Sequence, residues 1–247
     1  MELIQVVWSD QQNVPPHDLV KRYPTTKVMY EKHTTDRLSN RFHTLHPSPT
    51  RAVLSIDDDL LISCQQLNQG FNIWTANEKA LVGYSPRMHG VNAVTGEDKY
   101  MRWQNTWWSG VYSISLTKAS FLHKQYLQDF FTVLPASFIA DIDAHRNCED
   151  LAMAYVVATV SQAPPVWVQG VVHETADFGI STGATHFDDR SYCLTKLRQV
   201  SRNASASTST RHYLNQRESL PLIPSYQKAI PLSTAWDWIR LSQGGGK

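Results

Sequence analysis

Cysteine is scarce in this chain. There are three in 247 residues, Cys64, Cys148 and Cys193, and none stands in a CxxC or Cys/His ligand spacing. That excludes the common structural zinc modules. Charge of one sign is lacking too. The formal net charge is +1, which excludes a bulk electrostatic attraction to nucleic acid or to an anionic membrane. No run approaches the ~20 apolar residues of a membrane span. The opening "MELIQVVWSD" carries Glu2 and no basic stretch, so it does not read as a secretory signal. No internal repeat is visible. The length suits one large domain with a real core, or two small ones.

What is present is an alternation of apolar runs and amphipathic stretches. "LIQVVWS" (3–9) is short, β-branched and apolar and reads as a buried strand, "TKVMYEK" as a shorter strand, and "AVLSID" as the next buried strand. "ALVGYSP", "GVYSISLTKASF" and "PPVWVQGVV" read as further strands. "TTDRLSNRFHTL" places Leu38, Phe42 and Leu45 at helical spacing, with Thr34 or Thr35 near the cap. "ISCQQLNQGFNIWTAN" places Leu67, Phe71 and Trp74 on one helical face. "CEDLAMAYVVATVS" is an apolar helix with acids in its first turn, where the helix dipole favours them. "DRSYCLTKLRQV" is a further helix. Strands alternating with helices predict an α/β sandwich with helices on both faces of a largely parallel sheet. Trp103, Trp107 and Trp108 lie close together; such rings suit sugars or apolar partners, and packing is their commoner use. After Gln199 the chain turns polar, with "SRNASASTST" as a low-complexity linker and residues 201–247 expected to form a tail. Asn203-Ala-Ser205 is an N-glycosylation acceptor sequence.

The informative stretch is "RAVLSIDDDLLIS" (51–63), in which an apolar strand runs into Asp57, Asp58 and Asp59. A helix cap explains one aspartate but not three in a row. A calcium-binding EF-hand needs ligands at alternate positions and a turn glycine, and both are absent. A phosphoacceptor site needs further acids at the end of another strand. A strand-end Asp-x-Asp holding a divalent cation that carries a diphosphate fits best, since hard oxygen ligands suit Mn²⁺ or Mg²⁺. The place also fits, because ligands of open α/β sheets bind beyond the carboxyl ends of the strands.

Seven pieces carry a resemblance: "VVWSD", "LSNRF", "RAVLSIDDDLLIS", "GFNIW", "LVGYSPR", "NCEDLAM" and "RSYCLTKL". In this order, over roughly residues 3–200 of one domain, the chain resembles the glycosyltransferase domain of the exostosin and exostosin-like proteins and of similar plant and algal enzymes. The resemblance implies a GT-A-type α/β/α sandwich and a Mn²⁺-dependent retaining transfer. It implies a UDP-sugar donor, commonly an N-acetylhexosamine, and a glycan or glycolipid acceptor. It puts Asp57 and Asp58 on the nucleotide sugar, Asp59 on the metal, and Arg41 near the nucleotide sugar. Asp150 matches the catalytic-site aspartate and Arg190 the arginine beside the diphosphate. Without the resemblance, Asp150 reads equally as a first-turn helix acid and Arg190 as a surface salt bridge. Cys148 and Cys193 match a bridged pair. A Golgi or endoplasmic-reticulum location, and a homodimer or a partner glycosyltransferase, are further implications.

There are departures. A first strand and helix bearing a "TYNR"-like motif are expected to be missing ahead of residue 3. Ser9 and Asp36 stand where the family often has Asn, near the nucleotide, and Lys118 stands where it usually has Gly. The rival reading is therefore a truncated, non-enzymatic relative that binds glycans or a partner enzyme.

Overall fold

The computed structural model describes residues 2–16, 27–92, 94–175 and 185–203. The expected tail lies outside them from residue 204 onward, and with it all of the glycosylation acceptor sequence except Asn203.

The chain is an α/β fold. Strand β1 (Ile4–Trp8) pairs in parallel with β2 (Val28–Lys32). The longest sheet has the order β10-β5-β9-β3, made of β10 (Val166–Trp167), β5 (Val82–Gly83), β9 (Ala119–His123) and β3 (Ala52–Ile56). Its pairing is mixed. β10 and β5 run parallel, while β9 is antiparallel to both β5 and β3. The largely parallel sheet expected from the sequence is therefore interrupted by β9, which runs against both of its neighbours. β6 (Pro86–Val91) pairs antiparallel with β7 (Asp98–Met101) and with β8 (Ile114–Ser115). The two-residue β4 (Leu60–Leu61) pairs with β11 (His173–Glu174).

Side chains alternate along β9 as a pleated strand requires, and this separates two cores. Ala119 and Phe121 pack with Trp74, Val82, Tyr84 and Val166 under helix α1 (Cys64–Thr75). Leu122 faces the other way into a larger core. There it meets Phe130 of α3 (Gln125–Val133), Ile142 of α4 (Ala136–His145), α5 (Glu149–Ser161) and Leu197 of α6 (His186–Asn203). α5 is buried continuously from Glu149 to Ala158, as expected for a helix apolar on every face. The "GFNIW" glycine has a packing cause: a Cβ on Gly70 would overlap the Tyr84 hydroxyl.

The stretch expected as a helix around Thr34–Leu45 is only a short 3₁₀ turn, Leu38–Phe42, preceded by Arg37 with no side-chain cap. Neither Thr34 nor Thr35 caps it. Ser39 instead takes its support from α4, its N–H and hydroxyl both donating to the Asp143 carboxylate at 2.9 Å. A tertiary contact thus sets this turn where local propensity would have continued a helix. The short helix α2 (Trp103–Ser109) follows β7.

Candidate active site

The three aspartates follow β3 in a turn fixed by its backbone. The Asp57 N–H donates to the Lys118 carbonyl at 2.8 Å. The Asp59 carbonyl accepts from both the N–H and the hydroxyl of Thr175, at 2.8 and 3.0 Å. The carboxylates are left to project. The half-buried Asp57 meets a cation: Arg41 Nη2 lies 2.5 Å from Asp57 Oδ1. Arg41 is itself anchored, Nε donating to Ser55 Oγ at 3.1 Å and Nη2 to the Thr117 carbonyl at 2.8 Å. Burial raises the Asp57 carboxyl above its ordinary value, against the opposing pull of Arg41. The Asp58 and Asp59 side chains make no hydrogen bond or ion pair with any described residue. No group of three or more His, Cys, Asp or Glu among the described residues could by itself hold a metal ion.

A second charged pair faces this turn. Arg190, on α6, places Nη2 2.9 Å from Asp150 Oδ2, and both side chains are under a tenth exposed. Asp150 Oδ1 accepts from the Leu151 N–H at 2.7 Å, and Arg190 Nη1 donates to the Tyr100 hydroxyl at 3.2 Å. Arg190 Nε is buried with no partner among the described residues. Burial opposes ionisation of Asp150, but the Arg190 guanidinium outweighs it and holds the carboxyl below its ordinary value. Burial likewise works against the Arg190 charge, and Asp150 more than restores it. Arg190 is no surface salt bridge. Next to it, the His186 ring is pushed down in pKa by burial and by Arg190.

Glu149 joins the two halves, its Oε1 lying 3.7 Å from Arg41 Nη1. Burial first, and then the adjacent Asp150 charge, push its carboxyl up to about 7. Sequence reasoning passed over Glu149. Its signal was the neighbouring pair of acids in the first turn of a helix otherwise apolar all round.

All eight residues expected to touch ligand line one cleft of about 2080 Å³: Asp150, Arg190, Ser9, Asp36, Arg41, Asp57, Asp58 and Asp59. Ser9 Oγ accepts from Asn40 Nδ2 at 2.9 Å. The exposed Asp36 pairs with Arg146 at 2.9 Å. Lys118 pairs with Glu174 across the mouth, and its backbone has no positive φ, so a side chain is tolerated there. Cys148 and Cys193 form a disulfide with a Cα–Cα distance of 6.3 Å. It ties the residue before Glu149–Asp150 to the helix carrying Arg190.

A buried Arg190–Asp150 pair and a half-buried Arg41–Asp57 pair at a strand-end aspartate cluster are chemistry for binding a phosphorylated leaving group, and known proteins of that class match this chain. The glycosyl transferase family 64 domain matches residues 1–213, and the chain belongs to that family. It is 30% identical to "Glycosylinositol phosphorylceramide mannosyl transferase 1" of Arabidopsis thaliana, over 96% of this chain and 70% of that protein. It is 33% identical to human "Exostosin-2" over 79% of this chain, which spans only 27% of that protein. With mouse "Exostosin-like 2" the identity is 32%, over 79% of this chain and 62% of the relative. The chain is therefore a glycosyltransferase domain. No helix among the described residues is long and apolar enough to cross a membrane.

Proposed function

We propose that the chain transfers a hexosyl or N-acetylhexosaminyl group from a UDP-sugar to a glycan or glycolipid acceptor, with retention of configuration and with Mn²⁺. The observation that carries this is the meeting of Asp57–Asp59 with the Asp150–Arg190 pair in one cleft. Asp58 and Asp59 fit a hard divalent cation, because their oxygens are uncommitted and project from a fixed turn. With so few protein ligands, the remaining coordination would come from diphosphate oxygens and water. The metal, when bound, supplies Lewis-acid stabilisation of charge developing on the leaving diphosphate.

The chain's own groups do the rest. Arg41 holds Asp57 in place for the nucleotide sugar. Arg190, kept cationic by Asp150, stabilises negative charge on the departing diphosphate. Asp150, kept ionised by Arg190, sets a negative charge where the sugar develops oxocarbenium character. The reading of Ser9 as a nucleotide contact stands on its place in the cleft beside Asn40. Asp36 lines the same wall with its charge balanced by Arg146, and Lys118 is balanced by Glu174. These balances remove the charge objection at Asp36 and Lys118, two of the departures on which the non-enzymatic alternative rested; that alternative also rested on Ser9 and on the expected lack of a first strand and helix. The Cys148–Cys193 bridge supports an oxidising, secretory compartment.

Calorimetry tests the reading. UDP binding should require Mn²⁺, and Asp59→Ala should abolish it without lowering the melting temperature. UDP affinity unchanged in that variant would remove Asp59 from the metal site. Mn²⁺-independent turnover of UDP-sugar would remove the metal from the reaction.

A further inference from the structure

Two residues of the cleft wall, Asn147 and His186, have no part in the transfer described so far. Asn147 stands just ahead of α5 and His186 opens α6, so the fold brings them together beside the Asp150–Arg190 pair. The orientation of the Asn147 amide is fixed. Its Oδ1 accepts from the Cys148 N–H at 2.8 Å, which turns the NH₂ group toward His186. Nδ2 then lies 3.4 Å from His186 Nδ1 and 3.4 Å from the His186 carbonyl oxygen. An amide NH₂ only donates, so Nδ1 presents its lone pair to it. In a neutral imidazole the proton is then on Nε2.

The surroundings keep the ring neutral. Burial first, and then the Arg190 charge, lower its pKa, and Arg87 adds to them; Asp150 and Asp189 pull the other way and do not prevail. The side chain is largely buried, yet Nε2 has no hydrogen-bond partner among the described residues. Unlike Arg190 Nε, it is not shut away from the cleft that the residue lines. Arg190 itself has less to offer a ligand directly. Nη1 donates to the Tyr100 hydroxyl, Nη2 donates to Asp150, and Nε is buried. A strong cation thus stands beside a neutral donor that has no protein acceptor among the described residues.

We propose that His186 donates from Nε2–H to the terminal phosphate of the departing diphosphate, the phosphate that bears the sugar, as a neutral donor whose tautomer is set by Asn147. This rests on the reading of the cleft as a glycosyl-transfer site. A hydrogen bond to an anionic oxygen is stronger than one between neutral groups. A donor already aimed at charge that grows as the bond to the sugar breaks favours the transition state. The proton stays on Nε2 throughout, so no bond is made or broken at the imidazole. The same tautomer excludes Nε2 as a metal ligand, because ligation needs the lone pair that now holds the proton. Asn147 is a positioning residue and acts only through the ring.

Two measurements on the full chain test this. Nitrogen NMR of protein labelled in its histidine rings reads the tautomer directly, with the His186 signals assigned by their loss in His186→Gln. At pH 7 Nε2 should be protonated and Nδ1 bare. The Nε2–H signal should move when UDP and Mn²⁺ are added and stay in place with UMP and Mn²⁺. In Asn147→Asp, which keeps an oxygen for the Cys148 N–H but replaces the NH₂ by an acceptor, Nδ1 should become protonated. Calorimetry with Mn²⁺ then compares UDP with UMP. His186→Ala should bind UDP roughly ten-fold more weakly, the worth of one charge-assisted hydrogen bond, with UMP affinity unchanged. His186→Gln, whose amide keeps an N–H, should recover part of the loss. If a variant does not fold, the wild-type titration by NMR decides. A proton on Nδ1 in the wild type overturns the proposal. So does unchanged UDP affinity in folded His186→Ala, or an equal loss for UDP and UMP. A wild type that binds no UDP removes the donor reading itself, and that is seen before any variant is made.

Discussion

Removing the Asp150 carboxylate should destabilise the fold as well as stop the reaction, and the two effects can be separated. In Asp150→Ala the Arg190 guanidinium stays inside the protein with only the Tyr100 hydroxyl, 3.2 Å away, as a named polar partner. Stranding one member of a buried pair costs about 3–5 kcal/mol. The local surroundings place this case toward the lower end. Asp150 is one reason why the Glu149 carboxyl is pushed up to about 7; without it, Glu149 ionises more readily and returns some negative charge to the cluster. At roughly 2–4 °C per kcal/mol for a chain of this size, the melting temperature should fall by roughly 10 °C. The double variant Asp150→Leu/Arg190→Met removes both charges and should recover most of that loss, because an apolar replacement of a buried pair is often neutral or better. It should nevertheless turn over no UDP-sugar. Thermal and urea denaturation of wild type, both single variants and the double variant form the cycle. An Asp150→Ala cost below about 1 kcal/mol would show that the pair is hydrated in solution. A double variant no more stable than the single would show that the side chains are held by something other than each other.

Glu149→Gln should flatten the pH dependence of stability. The native Glu149 keeps its proton to about 7, while the unfolded chain releases it in the ordinary carboxylate range. Native Glu149 therefore loses stability as pH rises between those values. The variant's melting temperature relative to wild type should climb from about pH 5 to about pH 8, and a constant difference would refute the shift. Replacing Cys148 and Cys193 by Ser opens a loop with a sequence separation of 45. It should cost about 4 kcal/mol on the chain-entropy model, read as a fall in urea midpoint. An unchanged midpoint would mean that the bridge does not form in the folded protein.

The elements read correctly from sequence are those whose own side chains encode their surroundings. β1 and β3 are rich in β-branched residues, although they are half-buried where the sequence suggested buried strands, α1 shows an apolar stripe, and α5 is apolar throughout. The β6–β7 hairpin escaped because "RMHGVNAVTGEDKYM" offers no clean alternation: its inward residues, among them Asp98 and Tyr100, are polar or polar-tipped and are satisfied by contacts from α6. α3 and α4 escaped although Tyr126, Leu127 and Phe130 carry helical spacing. The aspartate cluster was legible because three carboxylates in a row at the end of an apolar strand call for a cation, and the identity of the cation that meets Asp57 was not. Arg41 reaches Asp57 only because the Leu38–Phe42 turn docks on α4 through Asp143, a contact more than a hundred residues away in the chain. Glu149 needed the same kind of knowledge, because only the fold brings it to Arg41.

The cysteine arithmetic has a practical consequence. With Cys148 and Cys193 consumed by their bridge, Cys64 is the one free thiol of the chain, and it is exposed. It opens α1 a few residues after the aspartates and borders the same cleft. A maleimide dye would therefore attach at a single defined point without mutagenesis, provided no reductant is used. Its emission would follow nucleotide and cation arrival in real time. Denaturing the labelled protein without reductant should reveal no second reactive thiol.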